Sequence, residues 1–179
     1  MRYLYLTFIL LFVVLDSSAQ SRFYADKSLV TFFSDGAIED IKATNNTVTS
    51  IFDLSKMDVA FLVKIRDFEF EKKLMQVHFN EKYLESEKFP KSTFVGSITG
   101  FNHSKSGAQQ VTASGKLFIH GVTKDVKVPG TLEKRGSNLY LKSKFMVKLA
   151  DYNIRIPQVI WNNVAENVEV ELDLTYNPL

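Results

Sequence analysis

The chain has 179 residues, 22 Lys and Arg against 20 Asp and Glu, a formal net charge of +2 at pH 7, and no cysteine. So small a charge excess argues against nucleic acid or an acidic membrane as the partner. The missing thiols exclude disulfides, thiolate catalysis, Cys-ligated zinc and iron–sulfur clusters. The length suits one domain that buries a core without covalent staples.

Met1–Ala19 reads as a secretory signal peptide. Arg2 gives a positive start, Leu4 to Leu15 is almost continuously apolar, and Ser17 and Ala19 are the small residues a signal peptidase reads. The apolar run falls short of the roughly 20 residues that a spanning helix needs. Cleavage after Ala19 is expected, leaving a secreted or periplasmic domain, 20–179, without a stable membrane anchor. No Cys follows for lipid attachment.

Leu29–Ser34 is the first expected strand, with Asp35-Gly36 as its turn. Ile38–Thr44 is a weaker strand and Asn45-Asn46 the next turn. Thr47–Leu54 sets Val48, Ser50, Phe52 and Leu54 against Thr49, Ile51 and Asp53, which is strand periodicity. In Met57–Arg66 the residues Met57, Val59, Phe61, Val63 and Ile65 share a face. Beyond Asp67 the apolar phase slips by one, to Phe68 and Phe70, and predicts a bulge or break. Glu71–Glu85 is the expected helix, with Leu74, Val77, Glu81 and Leu84 on one side and Met75, Phe79 and Tyr83 on another. Phe89-Pro90 stops it. Ser92–Phe101 carries Gly96 and Gly100, which mark bending or close backbone approach, and Asn102–Ala108 is a polar loop.

Val111–Glu133 contains two alternating runs around His120-Gly121 and reads as an antiparallel hairpin. Lys134–Asn138 turns the chain into Leu139–Leu149. Tyr152–Asn163 is irregular and includes Pro157. The last strand sets Val168, Val170, Leu172, Leu174 and Tyr176 against Glu169, Glu171, Asp173 and Thr175. The whole is an all-β, antiparallel pattern of about eight strands. Periodicity alone leaves a closed barrel and a two-sheet sandwich both open, and likewise a filled interior and one that holds a ligand.

The run SGKLFIHGVTKDVKVP (Ser114–Pro129) resembles the signature hairpin of the YceI-like family, through Gly115, Leu117, Ile119, His120, Gly121, Val122, Thr123 and Lys124. His78–Gly96 resembles the family's helical connection, and Phe145–Pro157 its late strand and exit. Leu149 stands where many members carry a basic residue before the Asp, so any role of that residue does not transfer. The resemblance spans 20–179. It implies a lipocalin-like barrel around an elongated apolar cavity. It also implies a function, binding of a polyisoprenoid or other lipid. The broad apolar stripe of the expected helix sets that helix against the barrel, covering one end.

Such a ligand is held by shape and apolar lining, each buried CH₂ contributing about 0.8 kcal/mol, so no catalytic motif is needed. Alternation places Phe61, Val63, Phe94, Ile98, Leu117, Ile119, Val126, Val128, Leu141, Phe145, Val170, Leu172 and Leu174 inward as candidate lining. For each of them, plain core packing is the simpler alternative.

No metal site, cofactor or catalytic residue is expected. His78, His103 and His120 lack the spacing of a zinc pair, and His120 is expected to fix the hairpin turn through its ring nitrogens. Gly96-Ser97-Ile98-Thr99-Gly100 lacks the spacing of a nucleophile elbow, and no glycine-rich phosphate loop precedes a helix. Glu169 and Glu171 read as a wet outer face. Lys142, Lys144 and Lys148 form a basic row, either solvated or attractive to an anionic headgroup. Asn45-Asn46-Thr47 and Asn102-His103-Ser104 are sequons that matter only in a glycosylating host. One rival reading is a cyclase- or isomerase-like enzyme on a hydrophobic substrate, with Tyr140, Asp53 or His78 turned inward. Another is a filled barrel acting by protein contact, and a homodimer is compatible with any of these.

Overall fold

The alternating runs become long antiparallel strands wound into one closed wall. The computed structural model describes residues 21–36, 40–156 and 165–179; the expected signal peptide and Pro157 lie outside them. In chain order the strands are β1 (Arg22–Ser34), β2 (Ile41–Asn45), β3 (Thr49–Asp53), β4 (Asp58–Lys64), β5 (Glu69–Phe70), β6 (Lys91–Thr99), β7 (Gln109–Ile119), β8 (Val122–Arg135), β9 (Asn138–Lys148) and β10 (Asn167–Pro178). The ring β1-β3-β4-β6-β7-β8-β9-β10 closes where β10 pairs with β1, from Phe23↔Pro178 to Phe33↔Glu169. This is an eight-stranded, all-β, lipocalin-like barrel. Closure removes the exposed edges that an open sheet of this size would carry.

β2 and β5 continue two of the eight staves past a break. β2 pairs with Val30–Ser34 of β1 and β3 with Arg22–Tyr24, both antiparallel, so β2 and β3 run in the same direction. Asn45-Asn46 therefore makes a kink and not the expected reversal. The partner stave breaks beside it, at the 3₁₀ turn Ile65–Asp67, where the apolar phase slips. Buried Asn45 ties the two breaks together. Its Nδ2 donates to the Lys64 carbonyl at 3.0 Å, and its Oδ1 accepts from the Thr47 N–H at 2.9 Å. Thr47 Oγ1 lies 2.6 Å from Asp67 Oδ2.

β1 begins at Arg22, well before Leu29, because a bulge between Ala25 and Lys27 interrupts its alternation. The hairpin β7–β8 turns at His120 (φ 48°) and Gly121 (φ 79°) between the paired Ile119 and Val122. Two central residues with positive φ make the turn that matches strand twist. At Gly121 even a Cβ would lie 2.7 Å from the Phe89 ring.

The expected helix is shorter than Glu71–Glu85. α1 covers Lys73–His78 and passes into a π-helical turn, Phe79–Tyr83. Asn80 Nδ2 donates to the Gln76 carbonyl at 2.9 Å, and the Leu84 N–H reaches back to the Phe79 carbonyl at 2.8 Å. The wider turn shifts the helical phase. Phe79 and Leu84 are buried, whereas Leu74 stays 66% exposed. The segment lies across one end of the barrel, as its broad apolar stripe implied.

Candidate functional site: an apolar cavity in the upper barrel

The interior divides along its axis. At one end Phe23, Phe52, Leu132, Leu139, Leu174 and Tyr176 pack into a closed core. At the helical end Phe32, Phe68, Phe70 and Phe79 form an aromatic cluster, with Phe32 stacked on Phe79 at 5.3 Å between ring centres and Phe70 5.0 Å from it. Between the two lies a cavity of about 280 Å³.

Alternation on each stave decides what the cavity meets. β4 contributes Phe61 and Val63, β6 Phe94 and Ile98, β7 Leu117 and Ile119, β8 Val128, β9 Leu141 and Phe145, and β10 Val170 and Leu172. On β6 the choice of Phe94 and Ile98 over Val95 is settled by the 62% exposure of Val95. Two of the thirteen candidates do not border the cavity. Leu174 is fully buried in the closed core, and Val126 packs against the same core. Both do face inward, but periodicity fixes the side of a strand and carries no information on where along the axis the interior is full.

The cavity also meets residues outside the candidate set. Phe32 shares its strand face with Val30 and could have been found by alternation, and Met75, Phe79 and Tyr83 form one of the helical stripes. Phe68 and Phe70 lie past the phase slip, where strand parity no longer applies.

Polar atoms on the wall are few and mostly satisfied internally. Ser34 Oγ accepts from the Ala165 N–H at 2.8 Å. Ser92 donates to the Phe118 carbonyl and Ser143 to the Pro129 carbonyl, each at 2.6 Å. No Asp, Glu, Lys or Arg is among the described lining residues. His78 and Tyr83, both from the helical segment, border the cavity, and neither side chain has a hydrogen-bond partner among the described residues. Burial pushes the Tyr83 phenol above its ordinary pKa.

The other proposed groups fall elsewhere. Asp53 points outward. The Ser55 hydroxyl and the Ser55 and Lys56 N–H groups hold its carboxyl below the usual range. Tyr140 lies under the Arg135 guanidinium, 4.7 Å from ring centre to Cζ. His103 is exposed in a loop, and no three potential ligands among the described residues could hold a metal ion. Contrary to expectation, His120 does not fix its turn from within: both of its ring nitrogens reach outside the hairpin. Its Nδ1 lies 3.1 Å from the Tyr152 carbonyl and its Nε2 2.8 Å from Glu85, clamping the hairpin tip to the helical connection and to the chain after β9. The basic row pairs with its acidic neighbours, Lys142 with Asp173 at 2.8 Å and Lys144 with Glu171 at 2.6 Å and Glu169 at 2.9 Å. Those two lysines are therefore not an unpaired attractor for a headgroup.

A family model described as a YceI-like domain matches residues 16–176. Among solved structures, a polyisoprenoid binding domain from Saccharophagus degradans, described as implicated in plant cell wall breakdown, is 13% identical with a TM-score of 0.75, over 89% of this chain and 99% of that one. BcnA of Burkholderia cenocepacia is 18% identical with a TM-score of 0.70, over 83% of this chain and 95% of that one. The YCEI protein of Campylobacter jejuni is 16% identical with a TM-score of 0.55, over 75% and 85%. At these identities the likeness is one of fold. A search of curated proteins gives no match.

Proposed function

The chain belongs to the YceI-like family, and from that premise we propose that it is an exported binding protein that carries a lipid of the polyisoprenoid class in its barrel. The observation that carries this reading is the cavity wall, apolar on every stave and free of charged side chains among the described residues. An isoprenoid or acyl chain gains free energy there with every apolar group withdrawn from water and needs no directional partner. His78 and Tyr83, both on the helical segment and both bordering the cavity, give the ligand's polar end somewhere to stop. The name of the Saccharophagus domain supports the same ligand class. A binding site of this kind works by shape, so the reading assigns no catalytic residue and no cofactor.

Native mass spectrometry and solvent extraction of the protein purified from membrane-containing cells test the reading. A co-purifying isoprenoid, or a mass increase on adding a polyprenol, is the expected result. Protein that stays ligand-free with added polyprenol would overturn it. Export rests on the sequence of Met1–Ala19. Intact-mass measurement of the exported protein is expected to give a chain beginning at Gln20, and a chain that retains Leu4–Leu15 would defeat that part.

A further inference from the structure

We propose that the seam between β8 and β9 is the lateral portal by which the ligand enters and leaves the cavity, an inference that rests on the carrier reading. The seam differs from its neighbours in the ring. β7 and β8 pair along their full shared length, Gln109↔Leu132 to Ile119↔Val122, and β9 and β10 from Asn167↔Lys148 to Tyr176↔Leu139. β8 and β9 pair only from Gly130↔Ser143 to Arg135↔Asn138. No ladder pair joins Val122–Pro129 to Lys144–Lys148, so the wall is unzipped from the fork onward, where Val128 and Pro129 on β8 and Phe145 and Val147 on β9 border the cavity.

The sequence at the fork explains why the ladder stops. In an antiparallel ladder a residue's N–H and C=O point to the same neighbour, and successive residues alternate between neighbours. The Pro129 carbonyl faces β9, where it accepts the Ser143 hydroxyl at 2.6 Å. The N–H that would accompany it is missing, because proline has none. Gly130 lets the strands meet at the fork, since a Cβ there would lie 2.7 Å from the Lys142 carbonyl. Thus the last link before the gap is one side-chain hydrogen bond.

The wall is also thin at this point. Pro129, Gly130, Ser143 and Leu172 border both the cavity and a groove of about 510 Å³ on the outer surface. Among the described residues, side chains fill the other two routes. The far end is packed solid around Tyr176 and Leu139, and the helical end is plugged by the phenylalanine cluster and held by the His120 clamp. A slit parallel to the barrel axis lets a long chain pass sideways, without threading through either end.

Two measurements test the portal, and the first needs no ligand. By ladder alternation the N–H groups of Asp125 and Lys127 face the seam, and those of Val126 and Val128 face β7. Residue-resolved hydrogen exchange is expected to show fast exchange at Asp125 and Lys127 and slow exchange at Val126 and Val128. Equal protection along the stretch would overturn the proposal.

The second bridges the seam. Lys127→Cys with Met146→Cys, both exposed, is joined by a bismaleimide. The control joins Val95→Cys and Lys116→Cys, which pair across β6 and β7. Uptake of cis-parinaric acid, read by fluorescence, is expected to slow at least about tenfold in the first and to stay unchanged in the control, as for a gate that limits passage. Unchanged uptake in the bridged seam would overturn the portal. If the unmodified protein binds neither the probe nor added polyprenol, the carrier reading fails, while the exchange pattern still decides whether the seam is open.

Discussion

Tyr176 seals the closed end of the barrel with a polar atom. Ser50 donates to the Ala60 carbonyl at 2.8 Å, so at the 2.6 Å contact between the two hydroxyls the tyrosine is the donor. Burial holds this phenol neutral and pushes its pKa far above the ordinary value of about 10. A folded pKa above the unfolded one means that the contribution to stability is complete below about pH 10. It is lost as pH rises from there toward the folded value, because only the unfolded chain releases the proton. Tyr176→Phe is expected to flatten the alkaline fall in stability, leaving the smaller share from Tyr83 and Tyr152, which burial also shifts upward. At neutral pH it should cost about 0.5–1.5 kcal/mol, since Ser50 keeps its own acceptor. Urea midpoints from pH 7 to 11 measure both effects, and an unchanged alkaline fall would mean that another group sets it.

Among the elements, the paired breaks in the β2–β3 and β4–β5 staves bend the wall where the helical end begins. Asn45, itself buried, holds them through its hydrogen bonds to the Lys64 carbonyl and the Thr47 N–H. Asn45→Ala strands the Lys64 carbonyl and the Thr47 N–H, and the expected loss is about 1–3 kcal/mol, read from a thermal melt. An unaffected melt would mean that the kink holds without it. The slip after Asp67 made one of these breaks legible in the sequence. The other was misread, because an Asn-Asn pair has the same chemistry in a kink as in a reversal. The first half of β1 was hidden by its bulge, and the π turn by its dependence on what Phe79 packs against. Strand faces were readable wherever the alternation ran unbroken, because a slip of one residue would expose every apolar side chain on the strand.

At the scale of the whole molecule, one barrel is half core and half container. Leu172 and Leu174 sit two residues apart on the same face of β10, one beside the cavity and the other fully buried in the closed core. Leu174→Ala leaves a hole among packed neighbours and is expected to cost about 2–5 kcal/mol. Leu172→Ala enlarges a space that already exists, so its cost falls at or below the low end of that range, and its main effect is on lipid affinity. Denaturant titrations of the two variants, with lipid binding alongside, measure the contrast; equal losses would mean a uniformly filled interior. The sequence could not distinguish these leucines. Hollowness is a sum over residues from every stave, and no single strand records it.

Closure itself has a consequence for how the chain reaches this state. The strand that completes the ring beside β1 is β10, and the Leu179 N–H donates to the Arg22 carbonyl at 2.9 Å, so first and last strands meet. During vectorial synthesis or translocation β1 emerges early and waits for a partner that arrives only at the end. Its outer edge stays open to any other extended chain in the meantime. Contacts so distant in sequence also make ring closure intrinsically slow. The interval before β10 arrives is therefore when this protein is most exposed to aggregation, and a holdase that covers the free edge of β1 would shorten that exposure.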